Sequence, residues 1–160
     1  MLRTSTRGGP EQDWTLAVEV LYRAESARLT RALFGYTASR AVAEDAVAEA
    51  FSQVLRRGDA VRDPRAWVWR TSFRLASGEM QRQRRSANEL LVDVVMPGAS
   101  DTIDLVAALQ ELSEMQRKAL VLHDYAGHRA AEVARMIGST EAAVRVPLMR
   151  GRRRLRVLLA

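Results

Sequence analysis

The sequence predicts an all-α protein made of two small helical domains, a helical bundle and a helix-turn-helix unit, joined by a linker. Three observations carry this. Apolar residues recur at gaps of three and four through most of the chain, and no alternating strand pattern of any length interrupts them. Glycine and proline are sparse, at nine and four in 160 residues, so few points break a helix. The breaks gather between residues 86 and 104, where Asn88, Asp93, Pro97, Gly98, Ser100 and Asp101 disturb any regular period. The expected units are therefore 14–85 and 105–160, with 86–104 between them. Leu90, Leu91, Val92, Val94, Val95 and Met96 make that linker too apolar for a free tether. It is expected to dock on this chain or on a partner.

In the first unit, a helix is expected from about Trp14 to Phe34, with Gly35 as its stop. The next helix has a regular seam of Ala43, Ala46, Val47, Ala50, Phe51, Val54 and Leu55, which makes one buried stripe. Its polar face carries Asp45, Glu49 and Arg56. Asp45 and Glu49 sit four apart and repel mildly. That face fits a docking surface for a basic partner, and it equally fits an ordinary solvated surface.

The third helix opens with Asp63 as a cap and Pro64 in the first turn. Ala66, Trp69, Phe73, Ala76 and Met80 give its buried face. About a third of a turn away lie Trp67, Arg70, Arg74, Gln81 and Arg85, also at helical spacing. An aromatic ring among arginines suits unstacked bases and their phosphates, the ring stacking and the guanidinium groups supplying charge. Arg62, in the loop before the helix, lies near the same end. A half-buried Trp67 with solvated arginines would show the same pattern.

In the second unit, Leu105, Ala108, Leu109 and Leu112 form a short amphipathic helix. Ser113 and Gln116 make a capping box for a helix reaching about Tyr125, which Gly127 ends. His128 to Ile137 buries Ala130, Val133, Ala134 and Ile137. Gly138 and Ser139 turn the chain, and Thr140 caps a last helix from Glu141. Two short helices, a tight turn and a longer helix form the pattern of a helix-turn-helix. The last helix turns Val144, Leu148, Gly151, Leu155 and Leu158 inward. Arg145, Met149, Arg152 and Arg156 occupy another face, with Arg153 beside them. Arginines on this second helix are placed for major-groove and phosphate contacts. Pro147 interrupts that helix: it has no N–H to donate and crowds the carbonyl of Ala143, so a bend or a short first segment is expected.

The bulk properties agree with a nucleic-acid partner. The net charge is +6, and Lys118 is the only lysine among 25 basic residues. Arginine binds phosphate and guanine in a two-pronged fashion. There are no cysteines, hence no disulfide framework or thiolate metal site, and a reducing cytoplasm is the expected location. No segment approaches the roughly 20 apolar residues of a membrane span. Residues 1–13 carry Arg3 and Arg7 with no apolar core behind them, unlike a secretory signal. The two histidines, His123 and His128, stand in neither a metal-ligand nor a triad spacing, and no glycine-rich phosphate loop is present. No enzyme activity, metal or cofactor is expected.

In order and spacing, these segments resemble the extracytoplasmic-function group of bacterial sigma factors. LYRAESARL, AEDAVAEAF and DPRAWVWRTSFRLA are similar to that family's domain two. LSEMQRKALVLHDYAG, AAEVARMIGSTEAAV and MRGRRRLRVLL are similar to its domain four. The resemblance covers nearly the whole chain. It implies a subunit that binds core RNA polymerase and directs it to promoters, with an anti-sigma factor as a further partner. Glu44, Asp45, Glu49, Phe51 and Arg56 would belong to the polymerase-binding surface. Arg62, Arg65, Trp67, Arg70, Arg74, Gln81 and Arg85 would hold the minus-ten element as single strand. Thr140, Glu141, Ala142, Arg145, Met149, Arg152, Arg153 and Arg156 would read the minus-thirty-five element as duplex.

The chain departs from the family at Pro147, where a polar or basic residue is usual, and at Ala76, Ser77, Gly78 and Glu79, which replace an Asn-rich run. Two other readings therefore stay open: a stand-alone helix-turn-helix regulator, and a sigma-like interaction module that does not initiate transcription. If Pro147 weakens groove docking, Pro147→Arg strengthens upstream-element binding, which a mobility-shift titration measures directly.

Overall fold

A computed structural model describes residues 9–86 and 100–160; the apolar linker residues Leu90 to Met96, and Arg3 and Arg7, lie outside them. All the regular elements among the described residues are helices. Helix α1 (Pro10–Thr37) is longer at both ends than the sequence suggests. Pro10 stands in its first turn, where the missing N–H has no intrahelical partner to lose. Gly35 does not end the helix. It is buried where α1 passes the second half of the chain, and a Cβ there would lie 3.6 Å from Leu109 Cδ1 and 3.7 Å from Val121 Cγ2. The stop comes at Ala38, whose left-handed backbone (φ 54°) directs its N–H to the Phe34 carbonyl.

Helix α2 (Arg40–Arg57) is capped by the Ser39 hydroxyl, which accepts from the Val42 N–H at 3.2 Å. Its seam is buried as expected from Ala43 to Val54, but Leu55 is exposed. Val54 already faces the bundle, and Leu55 is turned about 100° from it. A 3₁₀ turn (Gly58–Ala60) leads to α3 (Pro64–Arg85), where Asp63 accepts from the Ala66 N–H at 3.0 Å. Trp69, Phe73, Ala76 and Met80 are buried. Ala66 is not, because the whole first turn, Pro64 to Trp67, stays at least partly exposed.

Helix α4 (Ser100–Gln110) begins inside the span expected to be linker. Leu105 is exposed and Val106 is buried with Ala108, Leu109 and Leu112. Helix α5 (Glu114–Leu120) carries the full capping box of Ser113 and Gln116 and continues into a π turn (Val121–Tyr125). Helix α6 (Ala130–Ile137) ends at Gly138 (φ 68°), and the Ser139 N–H returns to the Ala134 carbonyl at 2.8 Å. Thr140 then caps α7 (Glu141–Leu158), accepting from the Ala143 N–H at 3.2 Å. The bend expected at Pro147 does not divide α7, which is one helix throughout. Val144, Leu148 and Gly151 are buried on either side of the proline, on a helix packed against α5 and α6.

Helices α1, α2 and α3 pack on one another; α4 and the π turn lie against α1, and α6 against α3. The two halves thus share one apolar core. Trp69, fully buried, sits at their junction. Its indole N–H donates to Glu25 Oε2 at 3.0 Å, its ring stacks on Phe73, and the His128 ring meets it edge-on with centroids 4.7 Å apart. A second polar junction forms around Glu114. Its Oε1 accepts from Tyr36 Oη at 2.7 Å and Ser77 Oγ at 3.0 Å, and Lys118 and Arg84 stand nearby.

The glycines of α3 and α7 should respond oppositely to alanine. At Gly151 a Cβ would lie 2.9 Å from Leu120 Cδ1 and 3.3 Å from Gln116 Cβ, where α7 crosses α5. Gly151→Ala is expected to destabilise by about 1–3 kcal/mol through overpacking. Gly78 is exposed with open space around it, so Gly78→Ala should stabilise by about 1 kcal/mol. Denaturant midpoints of the two variants check both signs.

Candidate nucleic-acid interface

On α3, Trp67 is half-buried, and the Arg57 guanidinium lies over its ring at 5.6 Å. Arg70, Arg74, Gln81 and Arg85 are exposed along the helix, and Arg62 is exposed in the loop before it. Arg65 is tied to α1 by an ion pair with Glu25 at 2.8 Å. Helix α6 stands opposite this stripe. Between the helices are two adjoining cavities of about 510 and 700 Å³, and Arg57, Trp67, Arg70, Arg135 and Met136 line both. Arg62, Arg65 and His128 border the first; Arg74, Gln81 and Lys118 border the second. The expected single-strand residues from Arg62 to Gln81 thus come together on one wall of a cleft. Arg85 does not line it.

On α7, Val144, Leu148 and Gly151 face inward, while Leu155 and Leu158 are half-buried. Thr140, Glu141 and Ala142 are exposed at the start of the helix, and Arg145, Met149, Arg152, Arg153 and Arg156 are exposed along it. The stripe is not uniform. Arg145 pairs with Glu141 at 2.6 Å. Arg152 is held by Asp124 of the π turn in a two-pronged bond of 2.8 and 2.5 Å. That bond draws the Asp124 carboxyl below its usual range. Arg153 and Arg156 have no carboxylate partner among the described residues.

On α2, Glu44 pairs with Arg40 at 2.7 Å and Glu49 with Arg56 at 3.3 Å, while Asp45 is exposed between them. Phe51, expected on this surface, is buried edge-on against Tyr22 and supports it from beneath.

Sequence reasoning missed the far wall of the cleft. Arg135 and Lys118 come from the second half, and nothing in local spacing links them to α3. Arg150 and Arg154 on α7 are also exposed. The arginine run from Arg150 to Arg156 is the signal for them, although they stand off the stripe of Arg145, Met149, Arg152 and Arg156.

Two buried ionisable groups sit behind the cleft. Burial alone would raise the Glu25 carboxyl, but hydrogen bonds from Arg65 and Trp69, with the charges of Arg65 and Arg28, hold it below its ordinary value. Burial lowers the His128 imidazole, and the charges of Arg65 and Arg28 act in the same direction, against the weaker pull of Glu132 and Glu25.

The model of the sigma-70 region 4 family matches residues 102–155. The chain is 31% identical to the probable extracytoplasmic-function (ECF) RNA polymerase sigma factor SigI of Mycobacterium tuberculosis, over 86% of this chain and 54% of that protein. It is 32% identical to the ECF RNA polymerase sigma factor SigJ of the same organism, over 73% of this chain and 43% of that one. The chain therefore spans about half the length of the curated relatives it matches. Among solved structures, it superposes on the sigma factor RpoE of Bartonella quintana, solved with the anti-sigma factor NepR, with a TM-score of 0.76 and 21% identity. That match covers 92% of this chain and 97% of RpoE. CnrH, solved with the cytosolic domain of CnrY, gives a TM-score of 0.72 at 20% identity, covering 94% and 92% of the two chains. Among the described residues, no helix is long and apolar enough to cross a membrane.

The perturbed groups set a pH dependence. Both Glu25 and His128 bind protons more weakly folded than unfolded, so each adds stability above its unfolded pKa and loses it as pH falls. Stability should fall first below the ordinary imidazole value of 6.5, as His128 is forced to charge beside Trp69, Arg65 and Arg28. A second loss follows below 4.5, as Glu25 is protonated. In His128→Gln the first loss should vanish, which urea midpoints at about pH 7.5 and 5.5 would show.

Proposed function

Because the chain belongs to the extracytoplasmic-function sigma factors, we propose that it binds core RNA polymerase and directs it to specific promoters at transcription initiation. What carries this reading is a conjunction on one chain: an arginine–tryptophan stripe on α3 and an arginine-bearing helix-turn-helix ending in α7.

In this reading residues 14–85 form the polymerase-binding and minus-ten unit, and 105–160 the minus-thirty-five unit. Glu44, Asp45, Glu49 and Arg56 grip the polymerase, and the buried Phe51 sets the height of that surface. Trp67 takes an unstacked base of the minus-ten strand while Arg62, Arg70 and Arg74 follow its phosphates. Arg65, held by Glu25, contributes charge from a fixed position, and Gln81 and Arg85 extend the track. At the upstream element α7 enters the major groove from Thr140, with Glu141, Ala142, Arg145 and Met149 nearest the bases. Arg152, Arg153 and Arg156 lie along the phosphates. RpoE, of the same fold, was solved with the anti-sigma factor NepR. A protein of that class is the proposed regulator here. The stand-alone regulator is the weaker reading, because it leaves the α3 stripe without a use.

The experiment is a pull-down with purified core RNA polymerase, followed by run-off transcription from promoter-bearing DNA. Binding and specific transcripts are expected. Capture without transcripts would favour a non-initiating interaction module, and duplex binding without capture would favour the stand-alone regulator. Trp67→Ala should impair promoter opening and leave upstream duplex binding nearly unchanged. Duplex affinity should fall steeply as salt rises.

A further inference from the structure

We propose that the cleft between α3 and α6 is a binding site for a free nucleotide, its phosphates held by arginines from both walls and its base against Trp67. The proposal goes beyond promoter recognition, although the α3 wall is the stripe assigned to it above.

The charge of the cleft is the first argument. Arg70 and Arg74 of α3 face Arg135 of α6, with Arg62 at one end and Lys118 at the other. None of the four arginines pairs with a carboxylate among the described residues. Two carboxylates also border the cleft: Asp63 accepts from the Ala66 N–H at 3.0 Å, and Glu132 accepts from the Arg129 N–H at 2.8 Å and stands 3.8 Å from His128 Nδ1. Unpaired like charges gathered between two packed walls repel, and a bound anion removes that cost.

The second argument is a buried polar atom. His128 borders the cleft, is 4% exposed, and its Nε2 has no hydrogen-bond partner. That nitrogen keeps a hydrogen-bonding capacity unused at the cleft's border. The third argument is shape. Each cavity has the volume of a small-ligand pocket, roughly 300–1,000 Å³. The arginines converge from two helices, which suits a compact polyphosphate. A strand tracking along α3 would meet them from one side only. A nucleotide spanning the cleft would also tie α6 to α3 and compete with such a strand for Trp67.

The test is calorimetric titration of the full chain with adenosine 5′-triphosphate and, separately, with inorganic pyrophosphate, at fixed ionic strength. Saturable one-to-one binding of the nucleotide is expected. Pyrophosphate should bind at least about fivefold more weakly, since it lacks the base that Trp67 would stack on. Arg135→Ala should weaken nucleotide binding about tenfold or more, and Arg135→Lys less. Arg135 is exposed, and an unchanged thermal midpoint would show that the variants fold. Absence of saturation at millimolar nucleotide, equal affinity for pyrophosphate, or indifference to Arg135→Ala would each overturn the site. A protein that transcribes with core polymerase yet binds no nucleotide would overturn this proposal and leave the promoter reading standing.

Discussion

The arrangement of the two halves depends on how one indole is satisfied. Trp69 is fully buried, and its N–H needs a partner. Glu25 of α1 supplies it, and a buried carboxylate in turn needs compensation, which Arg65 provides. Arg28 lies 5.7 Å over the same indole and donates to the Ala126 carbonyl, just beyond the π turn. His128 closes the last side of the ring. A side chain of the first half thereby fixes the backbone that leads into α6. The position of α6 then decides which residues stand across from the α3 stripe.

Glu114 makes the second tie, further along α3. It gathers Tyr36 from α1 and Ser77 from α3 at the opening turn of α5. Burial raises Lys118's cost of carrying charge there, and the Glu114 carboxylate beside it offsets part of that cost. The cleft lies between these two junctions, so its width is set at both ends by hydrogen-bonded contacts. Polar junctions of this kind separate more readily than a purely apolar seam, because each group can be re-solvated when it parts.

Much of this was legible in the chain because it is local. Caps at Asp63, Ser113 and Thr140, the α2 seam and the inward face of α7 all follow from spacing within a turn or two. What stayed hidden is what distant residues decide. Gly35 looks like a helix stop until Leu109 and Val121 are seen to pass beside it. Pro147 looks like a break, yet α7 runs through it as one helix packed on α5 and α6. Leu105 shares the spacing of Ala108, Leu109 and Leu112, yet where α4 lies on α1 it is Val106 that is buried and Leu105 that is exposed. At the candidate site the α3 wall was readable and the α6 wall was not, since Arg135 reaches the cleft through tertiary packing. Arg152 was placed on the correct helix, but its anchoring by Asp124 lies 28 residues back along the chain.

The π turn after α5 carries a consequence for how this part of the chain can change length. Its wider loop, with the Ala126 N–H reaching back to the Val121 carbonyl, holds one residue more than a regular turn would. Removing any one residue from Val121 to Tyr125 would leave an ordinary helix that folds well locally. The extra residue is absorbed inside the turn, so the side chains beyond it would keep their places. What would change lies within the turn: Asp124 bonds Arg152 and the His123 ring meets the His128 carbonyl at 2.6 Å, and removing either residue would lose its contact. A one-residue gap at this point in a relative would therefore mark a turn drawn in to regular geometry, with α6 and α7 left in register.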